Sequence, residues 1–302
     1  LATGGYEFDD KMLSNHTMGQ KFHRLGHPGN TGDGVRMAQA AGADLWHMNA
    51  LSCPLGLVVP GLKTALQINM LAPSHIYVDQ DGKRFVNEKM DNHTCIYGVN
   101  LLDAVKHRYP RIPCFVIFDE EARKRGPIIG GATSGYALNR EDYKWSKDNS
   151  AEIEKGVIVS APTIEELAKK INVPAENLVE TVKRWNEQIT AGADKDFGRP
   201  LEKKGKVAFE GREAPIISRP IGEGPYYAAE LYPAILNTQG GPKRNKLGQV
   251  LDPFGNPIPR LYSAGELGSM WGHIYQGATN NSEACVFGRI AGRTAAGEQN
   301  WQ

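Results

Sequence analysis

The sequence predicts an α/β fold in which both ends of the 302-residue chain build one Rossmann-like domain and the middle forms an inserted α+β capping domain. Three observations predict it. The tail reads Leu261-Tyr262-Ser263-Ala264-Gly265-Glu266, then a glycine-rich loop, then Asn281 to Gly292, which is a strand, a tight turn carrying one acid, a loop and a small-residue helix. That succession is the closing half of a dinucleotide site. The head, Leu1-Ala2-Thr3-Gly4-Gly5, reads as the end of a strand and its turn in the same kind of domain. Between them the character changes to short apolar strands and amphipathic helices, so the expected divisions are 1–44, 45–220 and 221–302.

The elements follow in order. Val35 to Ala43 is a helix by composition and period, with Asp33 near its cap and Gly42 near its stop. The loop before it, Thr31-Gly32-Asp33-Gly34, gathers amides at a helix N-terminus, where a phosphate or a negatively polarised ring edge is favoured. Segments 74–79 and 84–86 read as a hairpin about Asp81-Gly82. Cys114 to Asp119 is a short buried strand. Thr163 with Glu166 forms a capping box for a helix to Lys170. Pro174 opens a second helix to Ile189, with Leu178, Val182, Trp185 and Ile189 on one face. Strands at 226–230, 248–252 and 261–263 and a helix at 282–297 complete the chain.

Composition excludes several classes. A net charge of +1 with no basic stripe argues against a nucleic-acid partner. No apolar stretch approaches the roughly 18 residues of a membrane span. A soluble, cytoplasmic protein is the default expectation, although a chain that starts at Leu1 says nothing of its own targeting. Cys53, Cys95, Cys114 and Cys285 are widely spaced with no CxxC, so free thiols are expected and no metal site. No GxGxxG with a following acid appears, so the pyrophosphate-binding opening half of the domain is expected to be missing. It would come from a separate N-terminal chain or a missing segment.

The ordered markers resemble the fumarate reductase/succinate dehydrogenase flavoprotein superfamily, whose relatives include the 3-ketosteroid dehydrogenases. They are Ala2-Thr3-Gly4-Gly5, Thr31-Gly32-Asp33-Gly34, Arg84-Phe85-Val86-Asn87-Glu88, Thr238-Gln239-Gly240-Gly241, Ala264-Gly265-Glu266 and Phe287-Gly288-Arg289. The resemblance implies FAD in a split Rossmann-like domain, a capping domain over the flavin, and hydride transfer at flavin N5. By the same resemblance the cofactor-binding residues are Ala2, Thr3, Gly4, Gly5, Thr31, Gly32, Asp33, Gly240, Gly265, Glu266, Asn280, Asn281 and Ser282.

The departures bear on substrate. Asn92 stands where the proton-donating arginine of fumarate reductases is expected, Asn237 where a histidine is, and Cys53-Pro54 where a histidine-proline is. Residues 267–281 hold no arginine. Without those cations the bidentate clamps of a dicarboxylate are lost. Gly272-His273-Ile274-Tyr275-Gln276-Gly277 is instead similar to the ketosteroid dehydrogenase loop. The expected catalytic residues are therefore Tyr275, which polarises a carbonyl without a formal charge, with His273, His93, Asn92 and Asn237 in support. The implied activity is FAD-dependent oxidoreduction of a CH–CH bond conjugated to a carbonyl, as dehydrogenase or reductase, on a steroid-like or other neutral or weakly charged small-molecule substrate. The alternatives are a flavin enzyme acting on a ring hydroxyl, and an inactive flavin-binding relative or fragment. An electron-donor domain or protein is a further expected partner.

Overall fold

A computed structural model describes residues 1–17, 22–89, 93, 95–129, 143–202, 216–272, 275 and 279–299. The chain forms two compact units, Leu1–Pro54 with Ala234–Gln302, and Leu55–Pro233. These divisions fall later than the expected 44/45 and 220/221, and strand pairing explains the shift. Strands β2 (Leu45–Trp46) and β3 (Leu51–Ser52) pair antiparallel with β11 (Gly241–Pro242) and β10 (Asn237–Thr238), which ties residues 45–54 to the first unit. Residues 226–233 belong to the second unit because β9 (Tyr226–Ile235) lies at the centre of its sheet.

The first unit is mixed α/β. Besides those ladders it holds α1 (Asp10–His16), β1 (His23–Arg24), α2 (Asp33–Ala40), β12 (Gln249–Leu251), β13 (Pro257–Tyr262) and the C-terminal α8 (Thr279–Ala296). Asp9 caps α1 by accepting from Met12 N at 3.1 Å. Gly32 precedes α2 in the left-handed region at φ +75, which only glycine enters cheaply, and it leaves Asp33 as the first helical residue. β1 runs parallel to the last two residues of β9, and β12 pairs with β13. Residues 1–5, expected to finish a strand, form none. They carry a single rung, with Leu1 N donating to Tyr262 O at 2.6 Å and Ala264 N donating to Leu1 O at 3.1 Å.

The second unit is an antiparallel sheet with helices. Its strands β4 (Leu55–Leu57), β5 (Leu66–Gln67), β6 (His75–Val78), β7 (Cys114–Phe118) and β9 take the order β5-β4-β9-β7-β6, with β8 (Ile158–Ala161) also on β9. Its helical segments are α3 (Ile96–Val99), α4 (Glu120–Lys124), α5 (Ser150–Glu154), α6 (Ile164–Lys170) and α7 (Ala175–Thr190). Alternation along β7 sends Val116 and Phe118 to one face with Leu57 and Leu231. Phe115 and Ile117 meet α6 and α7 through Leu167, Leu178 and Trp185 on the other. Thr163 caps α6, accepting from Glu166 N at 3.2 Å, and the expected apolar face of α7 is buried at all four positions. The expected 74–86 hairpin is short: β6 pairs with β7, and the returning chain closes only an Asp79 N to Lys83 O hydrogen bond at 2.9 Å and one antiparallel bridge between Val78 and Arg84. Its guanidinium turns inward to Glu88 four residues on, which curls 84–88 instead of extending it.

Candidate functional site

In the first unit the glycine turn near the N-terminus meets the Ala264-Gly265-Glu266 turn. Gly5 O accepts from Gly32 N at 3.2 Å, and Tyr6 N donates to Thr238 Oγ1 at 3.0 Å. The Cα of Gly5 faces two carboxylates: a Cβ there would lie 2.3 Å from Thr238 Oγ1, 2.4 Å from Glu266 Oε1 and 2.7 Å from Glu7 Oε2. Both of those carboxylate oxygens are buried and have no hydrogen-bond partner among the described residues. Burial, and then the neighbouring Glu7 charge, pushes Glu266 up to about 8, against a backbone hydrogen bond from Thr238. Burial likewise lifts Glu7 to about 7, opposed by Asn30 Nδ2 donating to it at 2.6 Å. Two acids this close cannot both ionise cheaply, so near neutrality the pair retains a proton.

The turn itself is fixed from behind. Gly265 sits at φ +76, and a Cβ on it would touch Ala284 Cβ of α8 at 3.4 Å. Arg244 Nη2 donates to Gly265 O at 3.0 Å and Nη1 to Leu267 O at 2.8 Å, while its guanidinium pairs with Glu283 of α8. Glu283 in turn accepts from Ser269 Oγ and Met270 N, both at 2.7 Å. Thus one buried ion pair joins the acid-bearing turn, the start of the glycine-rich loop and the first turn of α8.

The loop is braced on its other side by β2. Trp46 Nε1 donates to Gly268 O at 3.0 Å, and His47 Nδ1 lies 2.8 Å from Ser269 O. The two rings stack at 4.6 Å. His47 holds φ 55, a left-handed conformation that costs a non-glycine residue and that this packing maintains. Tyr275 is buried.

The expected cofactor residues largely fall in one neighbourhood. Thr3 lies against α2, since a Cβ on Gly34 would meet its Oγ1 at 2.1 Å, and Gly4 abuts Asn30 in the same way at 2.5 Å. Thr31 Oγ1 donates to Asp33 Oδ2 at 3.1 Å. Gly240 O accepts from Gly268 N at 3.1 Å. Ala2 is exposed on the same strand-like segment. Asn280, Asn281 and Ser282 stand in the first turn of α8, which starts two residues before Asn281; Asn280 is buried with both amide atoms unpartnered among the described residues. Asn281 and Ser282 are exposed.

The expected catalytic residues are less gathered. Asn237 is buried in β10 and accepts from Gln239 Nε2 at 3.0 Å, which occupies its carbonyl locally. His93 belongs to the second unit. His273 and Asn92 lie outside the described residues. Glu7, His47 and Arg244 were not singled out from sequence. The signal for Glu7 was an acid directly after the Gly4-Gly5-Tyr6 run; His47 and Arg244 carry none, because their partners are more than twenty residues away.

A family model described as FAD binding domain matches residues 1–282. The chain belongs to the FAD-binding domain family. Among relatives of this FAD-binding chain, 4-oxocyclohexanecarboxylate 2-dehydrogenase of Sinomonas cyclohexanicum is 29% identical, covering 99% of this chain and 51% of that one. The 3-oxosteroid 1-dehydrogenase of Mycolicibacterium smegmatis is 30% identical, covering 96% and 50%. The crystal structure of 3-ketosteroid delta1-dehydrogenase from Sterolibacterium denitrificans in complex with 1,4-androstadiene-3,17-dione superposes with a TM-score of 0.77 at 26% identity, covering 98% and 52%. The chain therefore spans about half the length of the relatives it matches.

The first unit suits such a cofactor. FAD offers hydroxyls and a flavin edge as hydrogen-bond groups, and the buried unpartnered atoms Glu266 Oε1, Gln239 Oε1 and both amide atoms of Asn280 are complementary to them. Gly5 lets its backbone pack directly against Thr238 and Glu266, and Gly265 lets the acid-bearing turn pack on Ala284 of α8. Gly5→Ala is expected to displace Glu266 and to cost about 1–3 kcal/mol by overpacking. Fluorescence titration with FAD and thermal melts check this, with weaker FAD retention and a lower Tm than wild type as the expected result.

Proposed function

We propose that this FAD-binding protein is an oxidoreductase for a CH–CH or C=C bond next to a ketone carbonyl, acting on a small, largely neutral cyclic ketone. FAD, when bound, supplies the hydride donor or acceptor. Glu266, Gly265, Gly5 and the first turn of α8 would hold it, and Arg244 with Glu283 fixes the positions of that turn and helix. Tyr275 would donate its phenolic hydrogen bond to the substrate carbonyl oxygen, a neutral donor suited to a dry pocket. A ring-hydroxyl substrate is the second reading, and the same neutral loop would admit it.

The observation that carries the reading is the loop at 267–281: it contains a buried tyrosine and no arginine, so it offers a carbonyl a donor and a dicarboxylate no clamp. The relatives' names support the ketone, since a 4-oxocyclohexanecarboxylate dehydrogenase and 3-oxosteroid dehydrogenases are among them. Fumarate reductase (cytochrome) of Shewanella frigidimarina, 30% identical, is among them too, and the missing cations set this chain apart from fumarate chemistry.

Turnover with an artificial electron acceptor or a reduced dye tests it, using a cyclohexanone, a cyclohexenone and fumarate in parallel. Turnover with a cyclic ketone or enone and none with fumarate is expected. Tyr275→Phe is expected to lower kcat by about 10²–10⁴-fold, the usual worth of a positioned proton donor, with FAD content unchanged. Fumarate turnover, or a fully active Tyr275→Phe, would overturn the assignment.

A further inference from the structure

The second unit contains a cavity of its own, about 190 Å³, lined from β4, by residues 68–70 just after β5, from β6, and by residues 85–89, 95 and 99. That is well over ten times the ~10–15 Å³ that a single water needs by the same kind of measure. Leu55, Ile68, Phe85 and Val99 give it apolar walls, and Glu88 and Lys89 are its charged members.

The two charges are not equivalent. The Glu88 carboxylate is fully enclosed and consumed: it accepts from Arg84 Nε and Nη2 at 2.9 Å, from Tyr77 N at 3.1 Å and from Arg199 Nη1 at 3.3 Å. Arg84 also spans to Asp194 at 3.0 Å. Lys89 Nζ, by contrast, donates to a neutral acceptor, Met70 O, at 2.7 Å. No ion pair to Lys89 is found among the described residues. Among the described residues the local group thus holds three cations, Arg84, Arg199 and Lys89, against two anions, Glu88 and Asp194. His75 adds no charge, since burial and then Arg199 drive its pKa well down. Burial, and then Arg199, depresses Lys89 to about 8, and the neighbouring Glu88 charge opposes this only in part.

We propose that this cavity is a binding site for a small organic carboxylate with an apolar body, whose carboxylate pairs with Lys89. A mainly apolar wall with one ammonium held by a backbone carbonyl, and with Asn69 and Asn87 as its neutral amides, favours such a molecule over inorganic phosphate, whose oxygens outnumber the donors there. The lining residues belong to the second unit, the residues proposed to hold the flavin belong to the first, and the proposal does not depend on the ketone chemistry.

Calorimetric titration with cyclohexanecarboxylate at neutral pH tests it, with cyclohexanemethanol and inorganic phosphate as comparators. Lys89→Met is expected to weaken cyclohexanecarboxylate about tenfold or more, the worth of one charge-assisted pair, and to leave the alcohol unchanged. Lys89→Arg is expected to retain most of the affinity. In wild type, cyclohexanecarboxylate is expected to shield Lys89 from reductive methylation, read by mass spectrometry of that peptide. This second readout needs no variant to fold, and it separates occupancy here from occupancy beside the flavin. Equal affinity in Lys89→Met, or unchanged Lys89 methylation at saturating cyclohexanecarboxylate, would overturn the proposal, as would phosphate binding that competes equally.

Discussion

Glu88→Leu is expected to cost about 3–5 kcal/mol of folding stability, because it strips the countercharge from buried cations. The side chains of Glu88 and Arg199 are fully enclosed and that of Arg84 is nearly so. Arg84 stacks over Trp185 at 4.4 Å and Arg199 over the same ring at 5.1 Å, so neither guanidinium can swing out to water without uncovering the α7 core. With Glu88 gone, Arg84 keeps Asp194, but the Arg199 guanidinium keeps only the backbone carbonyls of His75, Pro73 and Ile217. Denaturant unfolding followed by circular dichroism measures the cost, and Glu88→Gln, which keeps an acceptor but no charge, should fall between. A loss below about 1 kcal/mol would mean that water already reaches this network. The same network implies an acid limit. Burial lifts Asp194, but the Arg84 hydrogen bonds outweigh it and hold the carboxyl at about 2. Its folded value lies below the unfolded ~3.9, so its contribution is present above that pH and is lost as pH falls toward 2.

Arg244→Met is the counterpart in the first unit. It leaves Glu283 charged and unpaired at 1% side-chain exposure and orphans the carbonyls of Gly265 and Leu267. The expected loss is again about 3–5 kcal/mol. Replacing both partners by apolar residues, Arg244→Met with Glu283→Leu, should recover a large part of it, because no buried charge then remains. Stability and cofactor affinity should separate in that double variant. The fold returns, but the Ala264–Ser269 turn is no longer held to α8, so FAD binding stays weak. A double variant that binds FAD like wild type would show that the ion pair only stabilises and does not position.

Much of this organisation was legible in the sequence, and the boundary lies where local signals end. Helices α6 and α7 were readable because their caps and apolar period are contained within seventeen residues or fewer. The glycine-bearing turns were readable because a positive φ, as at Gly32 and Gly265, restricts residue choice. The 74–86 hairpin was legible in its turn, with Asp79 accepting from Asp81 N and Lys83 N and one Val78–Arg84 bridge beyond it, but not in its length, because the chain after Arg84 is captured by the Arg84–Glu88 pair. The compact units divide later than the expected boundaries because two-residue ladders such as β2 with β11 join segments almost two hundred residues apart. In the site, Glu266 followed from its motif, whereas Glu7 became visible only when folding brought it to the other side of Gly5.

The central claim is that this protein holds FAD for oxidoreduction beside a carbonyl. The most direct test is an anaerobic spectral titration of the FAD-loaded protein with a cyclic ketone, and of its reduced form with the matching enone. Bleaching of the oxidised flavin band by the ketone, or its return with the enone, is the predicted result. A flavin bound in full amount whose spectrum answers to neither compound would contradict the account.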